Sequence, residues 1–366
     1  MNSLEILCID KILLNSIPEQ LESFDDTLKG RILERLLCPN TPKFSYRGSL
    51  PPAPSPRWLS ALVNKSTTHL DLSTVPTLFW SQFNMTGNFP FQFLERCTQL
   101  TSLKINAQNF TVGQLVPFLR VIGARLKHLD LSRCIRLNDS SLHFISYYCR
   151  QLQTLKLQDC IGIGGAVFQR SMATAMALMP TSRSSDGTPA PHPNSFAMMR
   201  MSNLVELDLT GCKSIAIRNM CNFSFVFPSL QEFSFAKAFL SDEDGSMLVQ
   251  TLPASLLSLD LSFNPVGKNT ISALVPDSRK NLTTYQLRSL NLDYCRCVST
   301  IDIQTLFSKV QTTLETLSIT GCLQIERQNF NVISSTSSGS SKRSNKRFSF
   351  NSYKRDLYER MPNVVY

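Results

Sequence analysis

The side chains of this chain that could do chemistry are those of its 11 cysteines and 4 histidines. Thiolates and imidazoles bind metals, or act as nucleophiles and bases, when they converge at a fixed spacing. Cys295 and Cys297 form one C-x-C pair, and no second pair accompanies it. None of the histidines has a metal-spaced or catalytic partner in the sequence. We therefore expect no metal ligands, no cofactor and no catalytic residues.

Motifs for phosphate or acyl chemistry are also absent from the sequence. No P-loop, G-x-G-x-x-G, G-x-S-x-G or H-E-x-x-H pattern occurs. Gly162, Gly164 and Gly165 have the spacing of a turn and not of a phosphate-binding loop. The sequence thus predicts a binding protein and not an enzyme.

Five of the cysteines share the ninth position of a repeated pattern: Cys134, Cys160, Cys212, Cys295 and Cys322. The pattern has leucine or another apolar residue at its first, fourth and sixth positions. Copies start at Leu100, Leu126, Leu152, Leu204, Leu230, Leu256, Leu287 and Leu314, and the commonest interval is 26 residues. A fixed period with the frame L-x-x-L-x-L-x-x-(N/C) is the signature of a leucine-rich repeat.

Each copy encodes one short strand with one apolar face. In the copy at Leu126, Leu129 and Leu131 point one way and Asp130 points the other, because side chains alternate along a strand. A single unit cannot bury that face, so neighbours stack into a parallel sheet over a continuous core. We predict an α/β leucine-rich repeat solenoid, a horseshoe with strands on its concave side and helices on its convex side.

The repeats divide the chain into four segments. We predict a helical cap over residues 1–38, a linker over 39–57, the solenoid over 58–330 and a tail over 331–366. Six prolines disfavour helix in the linker. The copy after Cys160 is twice the usual length, which indicates an inserted loop at about residues 170–200. The tail is basic and rich in serine, a composition typical of disordered segments.

The net charge of +10 is concentrated near the C-terminus. Residues 334–366 contain seven basic and two acidic residues, which accounts for half of that charge. No stripe of alternating basic and aromatic residues occurs, so we expect no nucleic-acid site. No signal peptide and no 18-residue apolar run occurs either. We expect a cytoplasmic or nuclear protein without membrane contact.

The N-terminal residues predict a helix that is apolar on two sides. Leu4, Cys8 and Ile12 lie on one side, and Ile9 and Leu13 lie on the opposite side. A second predicted helix, over residues 26–36, can cover one of the two sides. The other side is left for the repeats or for another protein.

Two short patterns in this segment resemble known adaptor-binding motifs. The run Ser3-Leu4-x-x-x-Cys8-x-x-x-Ile12 resembles the BC-box of elongin-binding substrate receptors, and Ile17-Pro18 resembles the start of a cullin box. The cullin-box pattern departs further on, where Asp25 stands in place of an aliphatic residue. Residues 17–37 also resemble a stretched F-box.

Together with the cysteine-containing repeats, these patterns are similar to the antagonist-of-mitotic-exit-network proteins and the zyg-type leucine-rich repeat receptors. The resemblance implies a substrate receptor of a cullin–RING ubiquitin ligase. Its adaptor would be elongin BC or a Skp-type protein, and the adaptor-binding residues would be Leu4, Cys8, Ile12, Ile17 and Pro18. One alternative is a non-catalytic intracellular scaffold whose N-terminal helices only cap the solenoid. A third is a nuclear or RNA-associated factor that uses the basic tail.

The predicted surface for the target protein is the concave face. Side chains at the fifth and eighth positions of each copy point away from the leucine core. The candidate contact residues there are Asp130, Arg133, Lys156, Asp159, Asp208, Asp260, Phe263, Asn291 and Tyr294. Phe263 and Tyr294 hold the eighth position of adjacent copies, so we expect an aromatic pair of the kind that anchors interfaces.

Overall fold

The computed structural model describes residues 3–37, 56–75, 92–168, 200–275, 286–310, 313–325 and 347–349. They belong to two compact units, residues 1–162 and residues 163–366. Both units are built from parallel strands that recur with the leucine-rich repeat, so the predicted α/β solenoid class is confirmed. The predicted inserted loop lies outside the described residues, apart from residue 200.

The first unit begins with helices and continues as repeats. Its helices are α1 (Ser3–Asn15), α2 (Asp26–Leu37), α3 (Pro56–Leu62), α4 (Gln92–Arg96), α5 (Val112–Ile122) and α6 (Asp139–Tyr148), with 3-10 turns at Pro18–Ser23 and Gly123–Arg125. Its strands are β1 (His69–Asp71), β2 (Ser102–Lys104), β3 (His128–Asp130) and β4 (Thr154–Lys156). Neighbouring strands pair in parallel, and their central leucines are aligned from Leu70 to Leu155.

The second unit consists of repeats throughout. Its strands are β5 (Glu206–Asp208), β6 (Glu232–Ser234), β7 (Ser258–Asp260), β8 (Ser289–Asn291), β9 (Thr316–Ser318) and β10 (Arg347–Ser349). Its helices are α7 (Phe223–Val226), α8 (Asp242–Thr251), α9 (Lys268–Leu274) and α10 (Thr300–Val310), with 3-10 turns at Ala166–Phe168 and Ile217–Met220. These strands also pair in parallel in sequence order.

The core of each unit is made by the apolar positions of the repeat. The central residue of each strand from β1 to β9 is at most 2% exposed, while its two strand neighbours are half-buried or exposed. Burying one such leucine completely stabilises the fold by roughly 1.5–3 kcal/mol. In the second unit, Phe168, Phe223 and Phe227 join this core with mutual ring distances of 4.8–5.8 Å.

Two predicted segment boundaries need correction. Helix α3 starts at Pro56, two residues inside the predicted linker, because proline is well tolerated in the first turn of a helix. Residues 347–349 of the predicted disordered tail form β10 on the edge of β9, where unpaired backbone groups accept another strand. Residue 38 of the predicted cap, residues 39–55 of the linker and the remainder of the tail lie outside the described residues.

Candidate functional site

The cysteines of the repeat join each strand turn to the preceding repeat. Their thiols donate to backbone carbonyls: Cys134 to Ile105 (3.6 Å), Cys160 to Leu131 (3.2 Å), Cys295 to Leu261 (3.3 Å) and Cys322 to Leu292 (3.0 Å). Burial raises the pKa of the Cys134 and Cys322 thiols to about 12. These thiols therefore stay protonated at neutral pH, and their bonds to the preceding repeat stabilise the fold.

Asn264 takes the cysteine position in the repeat of β7 and makes more bonds there. Its Nδ2 donates to the carbonyl of Phe235 (2.8 Å), and its Oδ1 accepts from the amides of Ala238 (3.0 Å) and Leu240 (3.1 Å). The side chain is 1% exposed. One amide thus satisfies several backbone groups that would otherwise be buried without partners.

The residue at the eighth position of the repeat, just before the cysteine, asparagine or, in one repeat, Ala238, has a left-handed backbone. Its φ is positive at Arg133 (63°), Asp159 (56°), Gly211 (74°), Lys237 (54°), Phe263 (59°), Tyr294 (58°) and Gly321 (73°). This conformation allows its amide to reach the next repeat, as from Phe263 to the Asp293 carbonyl (2.7 Å). This constraint was not predicted from the sequence, although Gly211 and Gly321 at the same position indicate it.

In the first unit, this left-handed position carries a pair of opposite charges. Arg133 Nε lies 3.9 Å from Asp159 Oδ2, and both side chains are more than half exposed. Lys104 and Asp71, at the fifth position of their repeats, form a second exposed pair at 3.3 Å. Exposed pairs of this kind contribute about 0–1 kcal/mol each.

In the second unit, the same position carries a cation and two rings. We call Lys237, Phe263 and Tyr294 the aromatic strip. The Phe263 and Tyr294 rings stack with centroids 4.5 Å apart and planes 16° apart, and Lys237 Nζ lies 4.9 Å from the Phe263 centroid. The expected aromatic pair is thus present, and its role in binding stays a prediction.

The fifth-position residues of the predicted target surface are partly used by the fold. Their Oδ1 atoms accept from the amide two residues further on: Asp130 from Ser132 (3.0 Å), Asp208 from Thr210 (2.9 Å), Asp260 from Ser262 (2.9 Å) and Asn291 from Asp293 (3.0 Å). These side chains are half-buried, as is Lys156. They stabilise the turn after each strand, and partner contact by them stays a prediction.

At the N-terminus, one side of α1 is buried within the first unit. Ile9 and Leu13 are each 2% exposed. Beside them, Arg35 of α2 makes a two-pronged ion pair with Asp10, with Nε to Oδ1 at 2.7 Å and Nη2 to Oδ2 at 2.8 Å. Asn64 follows α3, and its Nδ2 donates to the Asp26 carbonyl of α2 (3.1 Å). This side of the helix pair is therefore packed within the first unit, and its role as the cap of the solenoid stays a prediction.

The predicted adaptor-binding residues lie on α1, at Leu4, Cys8 and Ile12, and just after it, at Ile17 and Pro18. Cys8 is exposed, Ile12 and Pro18 are half-buried, and Ile17 is 57% exposed. The side chain of Leu4 lies outside the described side chains. Leu21, the next apolar residue of the cullin-box-like pattern, is fully buried in the unit, so it is not available to a partner.

Comparisons with known proteins give distant similarities. No protein-family model matches the chain. Coronatine-insensitive protein homolog 1b of Oryza sativa subsp. japonica is 25% identical over 201 residues, which is 53% of this chain and 31% of that protein. Homolog 1a of Oryza sativa subsp. indica is 23% identical over 198 residues, with the same shares. The chain spans about a third of the length of these relatives.

Two solved structures are also similar to this chain. In the complex of Rad7 and Elc1 in yeast, the matched chain is 14% identical with a TM-score of 0.38, over 94% of this chain and 92% of that chain. In the TLR13–ssRNA13 complex, the matched chain is 16% identical with a TM-score of 0.35, over 62% and 30%. Among the helices that the structure describes, none has the length and apolarity needed to cross a bilayer.

Proposed function

We propose that this chain is the substrate-recognition subunit of a cullin–RING ubiquitin ligase. The exposed side of α1 binds the adaptor, elongin BC in the first instance and a Skp-type protein in the second. A cullin joins through the adaptor. The open face of the strands holds the protein that is to be ubiquitinated. The chain itself carries no catalytic residues in this proposal.

The adaptor site is supported by the different exposure of the two sides of α1. If the helix only capped the repeats, its apolar residues would be expected to face the unit. Instead, Ile9 and Leu13 fill the cap, while Cys8 remains exposed on the other side. Ile17, just after the helix, is a second exposed apolar residue. In this proposal, these two exposed apolar residues belong to the surface that the adaptor covers.

The other candidate is a scaffold in which the N-terminal helices serve only as a cap. The buried Asp10–Arg35 pair and the buried Leu21 support this reading, since both tie the helices to the unit. The two functions use opposite sides of α1. They can therefore be separated by substitutions that leave the buried side untouched.

The test is a pull-down of the full chain with elongin BC and, separately, with a Skp-type adaptor. The double variant Cys8→Lys/Ile17→Ser removes the exposed apolar surface and keeps the buried side of α1. We expect the wild type to capture one adaptor and the variant to lose about 90% or more of that capture, because central apolar anchors dominate interface energies.

The matched control is Met247→Ser, which removes an apolar residue of similar exposure (49%) from the second unit. It should capture the adaptor as the wild type does. Thermal unfolding of all three proteins should agree within about 2 °C, since exposed substitutions change stability little. If the folded wild type captures neither adaptor, or if the double variant binds equally well, the N-terminal helices are only a cap and the scaffold reading stands.

A further inference from the structure

The aromatic strip is bounded by glycines at both ends. Along the left-handed position of the second unit, Gly211 precedes Lys237, and Gly321 follows Tyr294. A side chain at Gly321 would place its Cβ 2.6 Å from Tyr294 Cδ1, so the absence of one leaves room for the tyrosine ring. The three side chains therefore form a limited platform of one cation and two stacked rings.

This platform is not the least costly choice for the fold. Glycine or asparagine adopts positive φ at little cost, whereas other residues lose roughly 1–2 kcal/mol there. Phe263 also remains 42% exposed, so its ring stays partly in water. Its stack on Tyr294 returns about 0.5–1.5 kcal/mol, which does little more than offset the backbone cost. Folding alone thus gives no clear reason for rings at these two positions.

The rings of this region already accept cations. Lys237 lies over Phe263, and Lys213 Nζ lies 4.5 Å from the centroid of Phe239, which is 62% exposed. Both contacts have the geometry of cation–π interactions. An arginine would make a stronger contact of the same kind, because its flat guanidinium stacks on a ring and is less strongly hydrated.

Carboxylates lie in the same repeats as the strip. Glu232 of β6 is exposed, and Asp260 and Asp293 lie three residues and one residue before Phe263 and Tyr294. Asp260 and Asp293 use Oδ1 in hydrogen bonds to Ser262, Ser318 and Thr320. Within the described part of the chain, their Oδ2 atoms accept none. These oxygens can accept from a guanidinium whose plane rests on the adjacent rings.

We propose that the aromatic strip binds a basic segment of a protein partner through an arginine that takes the place of Lys237 over the Phe263 ring and pairs with Asp260 or Asp293. This inference rests on the proposed function, because it assigns a chemical class to the target held by the strand face. Asp260 and Asp293 attract an arginine and repel a phosphate, whereas Lys237 and Lys213 attract a phosphate, so the test includes an oligonucleotide.

The test uses a fluorescein-labelled peptide, Gly-Arg-Leu-Arg-Gly-Arg-Leu-Arg-Gly, and its copy with citrulline in place of arginine. Citrulline keeps the flat shape and loses the charge. Binding to the full chain is followed by fluorescence anisotropy at about 150 mM salt, where weak surface attraction is largely screened. We expect the citrulline peptide to bind about tenfold more weakly or worse.

The variant Phe263→Asn/Tyr294→Asn removes both rings, and asparagine tolerates the left-handed backbone. It should bind the arginine peptide about tenfold more weakly than the wild type. Arg133→Asn is the matched control, because it makes the same change at the same repeat position of the first unit. It should leave binding unchanged.

Three outcomes overturn the inference. The first is that the arginine and citrulline peptides bind equally well, or that Arg133→Asn weakens peptide binding as much as Phe263→Asn/Tyr294→Asn does. The second is ring-dependent binding of a 12-nucleotide oligouridine without binding of the peptide, which assigns the strip to RNA. The third is that the peptide binds the variant Lys342→Gln/Arg343→Gln but does not bind the wild type. That result would mean that the chain's own basic tail occupies the strip. Adaptor capture uses α1 in the first unit, so a failed adaptor pull-down leaves the peptide result intact, and the reverse also holds.

Discussion

The first and second units place different chemistry on the same backbone position. Arg133 and Asp159 of the first unit and Phe263 and Tyr294 of the second unit have φ values between 56° and 63°. The first two form an exposed ion pair at 3.9 Å, whereas the second two stack at 4.5 Å. The repeat therefore dictates the backbone geometry, and the side chain at that position remains open to selection for binding.

The repeats also differ in how the ninth residue joins adjacent repeats. Cys134 of the first unit makes one long thiol bond to Ile105 (3.6 Å), and Cys295 and Cys322 of the second unit make thiol bonds of the same kind, while Asn264 bonds three backbone groups of the preceding repeat. A thiol is a weak donor and behaves mainly as a small apolar group, whereas an amide is a strong donor and acceptor. The same position thus has unequal importance in different repeats.

The largest predicted effect comes from removing the Asn264 side chain, which tests the difference between asparagine and cysteine at the ninth position. Asn264→Ala should lower the free energy of unfolding of its unit by about 3 kcal/mol, because it leaves several buried backbone groups without partners. Cys134→Ala should cost about 1 kcal/mol, since it removes a weak bond and a small volume. Urea unfolding followed by circular dichroism would measure both. Equal costs would contradict the distinction drawn between the thiol and the amide.

The second prediction concerns the side chains that cap helices α9 and α6. In the second unit, Asp242 of α8 caps α9 of the next repeat, where it accepts from the amides of Gly267 (2.7 Å), Asn269 (2.9 Å) and Thr270 (2.9 Å). In the first unit, Asn138 caps its own helix α6 by accepting from the Ser140 amide (3.0 Å). Neither residue was predicted as a cap from the sequence. One cap is charged and joins two repeats, and the other is neutral and local.

Burial alone would raise the pKa of Asp242, but the hydrogen bonds from Thr270, Asn269 and Gly267 outweigh it and lower the pKa below its ordinary value of 3.8. A lowered pKa in the folded state stabilises the fold fully above the unfolded pKa. That contribution disappears as the pH falls through the folded pKa, below 3.8.

Asp242→Asn should therefore lower the free energy of unfolding by about 1–2 kcal/mol at pH 7. The gap between wild type and variant should narrow when the pH is lowered below 3.8. Asn138→Ala should cost about 1 kcal/mol at every pH, because no charge is involved. Unfolding curves at pH 7 and at several acidic pH values measure both. If the difference in unfolding free energy between wild type and Asp242→Asn did not change with pH, the charge of Asp242 would not contribute to the cap.

The smallest predicted effect concerns the left-handed position itself. Arg133→Asn should be neutral or stabilise the protein by up to about 1 kcal/mol, since it relieves backbone strain and removes an exposed pair of little value. Phe263→Asn should change stability by no more than about 1 kcal/mol, because the relief is offset by the lost stack. Thermal unfolding compares the two. A loss of several kcal/mol for Phe263→Asn would make the ring a part of the core and not a binding surface.

Much of the fold could be predicted from the spacing of a few residue types. Leucines at the first, fourth and sixth positions define the strands, and the central leucines from Leu70 to Leu155 are paired where the period places them. The candidate site was predicted less completely. The eighth position was correctly placed outside the core, but its positive φ was not foreseen at Arg133 or Phe263. Non-glycine residues rarely adopt that conformation unless the surrounding structure enforces it.

The sequence by itself determined the repeat, the apolar core and the buried ninth position, because these depend on periods that are local to the chain. Tertiary structure alone decided which side of α1 is buried, since both sides are apolar in sequence and only the packing against α2 distinguishes Ile9 from Cys8. It also decided that Asp242 caps a helix of the next repeat and that Lys237 lies over Phe263. These contacts join residues 25 or more positions apart, where no local pattern records which partner a side chain will meet.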